Sequence, residues 1–97
     1  MEHLIYQVNQ GFVLRELSGE SVVIYKGKGD PFDGIIRLNE EGTFVWKYLE
    51  KGASKESMTK ALKSEYEADE QQIINDLDEV LNNLVSEGVV GMRSVEE

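Results

Sequence analysis

The segment LNEEGTFVWKYLEKGAS (Leu38–Ser54) is where the apolar pattern of this chain changes period. Upstream, apolar residues fall in short strand-like runs; from here they return every three or four positions, as on one face of a helix. Asn39 reads as an N-cap, and Glu40 and Glu41 suit the positive end of a helix dipole. Phe44, Val45, Tyr48 and Leu49 repeat at helical spacing, with Trp46 beside them. Lys51 and Gly52 end the helix with a cation and a left-handed cap. Trp46 reads as core, because a small domain needs one large aromatic to bury enough area. Gly42 costs up to about 1 kcal/mol against alanine inside a helix and less in a first turn. Its simplest reason is close approach of another backbone, that of the adjoining sheet.

Outward from this helix, Phe12–Leu17 and Ser21–Lys26 read as two strands joined at Ser18-Gly19-Glu20, a hairpin. GKGDPFDG (Gly27–Gly34) is a loop; it lacks the GKS or GKT ending of a phosphate-cradling motif. Ile35–Leu38 is a short third strand, with Ile36 and Leu38 on one face and Ile35 and Arg37 on the other. Downstream, Ser54 caps a helix over Lys55–Tyr66 whose apolar positions are Met58, Ala61, Leu62 and Tyr66. Asp69 followed by Gln72 resembles a capping box for a third helix reaching about Ser86, which Gly88 stops. Val89–Met92 is either a closing strand or an extended tail. The order β-β-β-α-α-α argues an α+β fold. Residues 1–11 stand as an N-terminal extension, ordered on a partner or mobile; residues 12–92 are the domain, and residues 93–97 an acidic tail.

Ninety-seven residues make one domain with one modest core. No apolar run approaches the roughly 18 residues of a membrane span, and MEHLIYQVNQ shows no signal-peptide pattern. There is no cysteine, which excludes disulfides, thiolate catalysis and cysteine zinc sites. These features favour a cytoplasmic protein without a membrane partner. The net charge is −9, and the excess is all in one place: residues 64–97 carry ten acids and only Arg93. Such a surface repels phosphate backbones and argues against nucleic acid. It serves either as solvated helix surface or as a preference for a partner carrying Lys or Arg.

The third helix carries Ile73, Ile74, Leu77, Val80, Leu81, Leu84 and Val85 on an arc of roughly 140°. One edge holds Ile73, Val80 and Leu84; the other holds Ile74, Leu81 and Val85. Either the whole arc is core or one edge lines a groove. Three helices with a hairpin also describe a winged helix-turn-helix, but this third helix has Asp76, Asp78 and Glu79 and no Lys or Arg to meet phosphate. Catalysis has little to stand on: His3 is the single histidine, in the terminal segment, and no His or Cys completes a transition-metal set with the helix acids.

Leu38-Asn39-x-x-Gly42-x-x-x-Trp46-x-x-Leu49 resembles the "LNxxGxxxWxxL" segment of PqqD-like proteins. Ser54 and Glu56 are similar to that family's start of the second helix, and Glu65-Tyr66 to its close. Asp76-Leu77-x-x-Val80-Leu81-x-x-Leu84-x-x-x-Gly88-Val89-Val90 is similar to its ending, with valines where leucines are frequent. The match covers about Phe12–Val90. The resemblance implies a three-stranded antiparallel sheet followed by a three-helix, winged-helix-like bundle. It implies a non-catalytic peptide chaperone, a leader-peptide recognition element for ribosomally made, modified peptides. The leader segment of the precursor adds as a strand in a groove between the third strand and third helix, and is presented to a maturation enzyme, often a radical SAM enzyme. No cofactor or metal is implied. Carried onto this sequence, the peptide-binding residues are Ile35, Ile36, Arg37 and Leu38 from the strand, and Ile73, Asp76, Leu77, Val80 and Leu84 from the helix. Arg37 suits an acidic leader residue and Asp76 a basic one. The competing reading is a winged-helix-like interaction or regulatory domain without DNA binding.

Overall fold

The computed structural model describes residues 2–26 and 36–96. Six strands and three helices follow one another: β1 (Glu2–Val8), β2 (Phe12–Leu17), β3 (Glu20–Tyr25), β4 (Ile36–Leu38), α1 (Glu40–Lys51), β5 (Ala53–Ser54), α2 (Lys55–Glu65), α3 (Glu70–Ser86) and β6 (Val90–Glu96). They form two antiparallel three-stranded sheets, ordered β2-β3-β4 and β5-β1-β6. The loop expected at Gly27–Gly34 lies outside the described residues.

The first sheet is the expected one. Leu17 pairs with Glu20 across a two-residue turn. Ser18 and Gly19 both have positive φ, 52° and 81°, as a type I′ hairpin turn requires. Ser21, Val22 and Val23 then pair with Leu38, Arg37 and Ile36, which leaves β4 at the edge. Ile36 and Leu38 pack against the core and Arg37 is exposed, the alternation expected of a strand with one covered face.

The second sheet corrects the reading of both termini. Residues 1–11 and 93–97 stand in the sequence as an extension and a tail. Instead, β1 and β6 pair over seven residues, from Glu2 with Glu96 to Val8 with Val90. Tyr6 and Val90 are buried in the common core. Asn9 fastens the base of the pair: its backbone N–H donates to Val89 O (2.8 Å) and its side chain to Gly88 O (2.9 Å). The alternative left open at Val89–Met92 is thereby decided in favour of a strand.

The helices bury one stripe each. In α1 this is Val45, Trp46 and Leu49, while Tyr48 stays exposed. Met58 and Leu62 of α2 and Ile73, Leu77, Leu81 and Leu84 of α3 complete the core. The caps differ in kind. Asn39 Oδ1 accepts the Gly42 N–H (2.8 Å), and the Ser54 hydroxyl oxygen accepts the Ser57 N–H (3.1 Å). Asp69 makes no side-chain cap bond, so the expected capping box is not formed. Gly52 has positive φ but an extended ψ (93°, 126°), not the left-handed helical cap expected. A Cβ there would meet Gln7, Ile5 and Arg93 side-chain atoms at 3.3–3.4 Å, so the glycine admits the second sheet. Gly42 is tight for a related reason. A Cβ there would lie 3.3 Å from Leu38 Cβ and 3.2 Å from Asn39 Oδ1. The neighbours are the side chains at the end of β4, not a backbone as expected.

Candidate binding groove beside the edge strand

β4 has β3 on one side only. Among the described residues its other edge has no strand partner, so backbone donors and acceptors are left for a further chain. Alongside it lies α3. The two meet in a small cleft of about 180 Å³ lined by Arg37, Leu38, Asn39, Val80, Asn83 and Leu84. It continues into a larger depression of about 540 Å³ lined by Asn39, Glu41, Asp76, Glu79, Val80 and Asn83. Asn39, Val80 and Asn83 belong to both, so this is one channel.

Helical geometry explains the lining. Ile73, Leu77, Leu81 and Leu84 occupy the middle of the apolar arc and point inward. Val80 is its margin on one side, half-buried against the core. Asp76 and Asn83 follow about 40–60° further round the helix, and Glu79 beyond them. The other margin, with Ile74 and Val85, turns toward α2, where Lys55 Nζ lies 2.6 Å from Asp78 Oδ1. That bond holds the Lys55 ammonium above the usual lysine range.

Charge is unevenly distributed. Arg37 Nε donates to Glu20 Oε2 at 3.1 Å, with both side chains well exposed. Asp76 Oδ1 accepts from Gln72 Nε2 at 3.0 Å. Among the described residues, Glu41, Asp76 and Glu79 are in no ion pair. Partial burial, and then the neighbouring carboxylates of Asp76 and Glu40, push the Glu41 carboxyl above the usual carboxylate range. Among the described residues no group of His, Cys, Asp and Glu can hold a metal ion, and no helix is long and apolar enough to cross a membrane.

Of the residues singled out in the sequence, Arg37, Leu38, Asp76, Val80 and Leu84 come together around this channel. Ile36 turns to the core from the same strand. Ile73 and Leu77 are each 2% exposed, belong to the core and line neither part of the channel. Ile35 lies outside the described residues. Glu41, Glu79, Asn39 and Asn83 were not singled out as lining. The signal for Asn83 and Glu79 is their place on the helix wheel, following Val80 and Asp76 round the same side. Glu41 carried none, because its side chain reaches the channel across the α1–α3 junction.

The family model described as "Coenzyme PQQ synthesis protein D (PqqD)" matches residues 12–90. Among solved structures, the chain is similar to one described as "TbiB1 in Complex with the TbiA(beta) Leader Peptide". The TM-score is 0.69 at 23% identity, covering 87% of this chain and 93% of that one. No curated protein matches the sequence.

Proposed function

The chain belongs to the PqqD family, and on that premise we propose that it is a peptide chaperone that binds the leader segment of a precursor peptide. The leader adds as a strand to the open edge of β4, and α3 supplies the wall. The chain does no chemistry itself. It presents the remainder of the precursor to a maturation enzyme, for which a radical SAM enzyme is the expected class.

The observation that carries this reading is the edge of β4, open among the described residues, running beside the Val80–Leu84 face of α3. Strand addition joins sequence-independent backbone hydrogen bonds to side-chain pockets that select alternate residues. The channel offers both. The peptide-bound state of a structure with the same fold supports the reading as well.

The test is an NMR titration of labelled protein with the short peptides encoded beside its gene. Shifts concentrated on Ile36–Leu38 and on Asp76–Leu84 are expected. Val80→Glu, which puts a charge into the channel from a half-buried position, weakens binding while circular dichroism retains the wild-type fold. Wild-type affinity in that folded variant counts against the groove.

A further inference from the structure

The channel is polarised along its length. Its cleft end is lined by Leu38, Val80 and Leu84, with Arg37, Asn39 and Asn83 beside them. Among the described residues, its wide end has Glu41, Asp76 and Glu79 and neither Lys nor Arg. Arg37 already has Glu20 as a partner. Among the described residues the unpaired charge therefore sits at the wide end, where three carboxylates from two helices line one depression. Burial first, and then the carboxylates of Asp76 and Glu40, hold the Glu41 carboxyl above the usual range.

The spacing between the two ends is set by the helix. Val80 and Asp76 are one turn apart, about 6 Å along α3. An extended chain covers that distance in two residues of about 3.3 Å each, and residues two apart on a strand share a face. Resting on the strand-addition reading above, we infer that this channel selects a basic segment. An aliphatic residue sits on Leu38, Val80 and Leu84, and a Lys or Arg two positions away, on the same face, lies over Glu41, Asp76 and Glu79. β4 runs toward the acidic end, since Leu38 is followed by Asn39 and then Glu41. A strand added antiparallel to β4 thus carries its basic residue on the N-terminal side of the aliphatic one. The unpaired acids favour such a segment over an acidic one through complementarity and repulsion alike.

The experiment pans a display library of random segments of about nine residues, long enough to span the channel, against the full chain. Enrichment of an aliphatic and a basic residue two positions apart is the expected outcome. For a selected peptide, replacing the basic residue by glutamate weakens binding about tenfold or more. In the Asp76→Asn/Glu79→Gln double variant that ratio falls to about threefold or less, while replacing the aliphatic residue by serine costs what it costs in the wild type. A salt titration of the wild type gives an independent reading should the variant fold poorly: the preference for the basic residue shrinks as salt screens the carboxylates. Enriched peptides lacking a basic residue at this spacing, or a preference indifferent to both salt and the double variant, overturn the inference and leave strand addition standing. Absence of enrichment with any sequence overturns strand addition itself.

Discussion

Replacing Asn39 by alanine tests the junction at which fold and channel meet. Asn39 ends the edge strand, caps α1 and lines both parts of the channel. Its Oδ1 accepts the Gly42 N–H at 2.8 Å, one of the four donors that a helix leaves without an internal partner. Removing such a cap costs about 1 kcal/mol, in a range of roughly 0.5–2. In a domain of this size that lowers Tm by about 4–8 °C. Asn39→Ser, which keeps a capping oxygen, stays within about 0.5 kcal/mol of wild type. The informative control is Asp69→Ala. Asp69 stands at the N-cap of α3 without a side-chain cap bond, so only its charge near the helix dipole is lost. That is worth about 0.3 kcal/mol at an exposed site. The assay is urea or thermal unfolding of the three variants at one pH and low salt. Equal losses for Asn39→Ala and Asp69→Ala, or a silent Asn39→Ala, refute the assignment of the cap. In the first case the Asp69–Gln72 box exists after all.

Three further outcomes follow from burial and charge. Leu84 is 1% exposed while Val80 is half-buried; Leu84→Ala costs about 2–5 kcal/mol in denaturant unfolding, and Val80→Ala well under half of that. For Glu41, the folded carboxyl titrates above its unfolded value, so its ionisation opposes folding. That penalty is absent below the unfolded value, grows as pH rises through the interval between the two, and persists above it. Glu41→Gln therefore raises Tm at pH 7 and leaves it unchanged at about pH 3, and a variant equally stabilised at both pH values contradicts the assigned cause. Trp46 is 1% exposed and its indole N–H has no hydrogen-bond partner. Trp46→Phe removes that orphan donor along with some volume, so it costs about 1–2 kcal/mol, less than the roughly 3–5 expected of Trp46→Ala; equal losses in the two variants indicate a partner for the indole.

Much of this molecule is legible because its signals are local. The hairpin announces itself through Ser18-Gly19 between the strand-like segments Phe12–Leu17 and Ser21–Lys26. Each helix carries its own periodicity, and Gly88 stops α3 as read: the N–H groups of Gly88 and Val89 turn back to Val85 O and Leu84 O. The termini escaped because their partners are each other. The alternation Leu4, Tyr6, Val8 is a weak strand signal by itself, and it acquires meaning only opposite Val90, Met92 and Ser94, more than 80 residues away. The capping box at Asp69 shows the converse failure, in which a correct residue pattern is present and the hydrogen bond is not.

The candidate site divides along the same line. Sequence alone determined that a short strand is followed by a capped helix, and that α3 has an apolar arc wider than a seam, because dihedral preference, capping and a 3.6-residue period act between residues a few positions apart. The apolar pattern by itself left the two margins of that arc equivalent, Val80 on one side and Ile74 with Val85 on the other, and only the family resemblance pointed to the Val80 side. Tertiary structure gives the two margins different neighbours. Lys55 and Asp78 tie one margin to α2, and β4 runs along the other, bringing Asn39 and Glu41 opposite Asp76 and Glu79. The physical reason is that helix docking is set by burial of the whole arc and by the path of the chain between elements. Which carboxylates end up facing one another is a consequence of that packing, and no local preference encodes it.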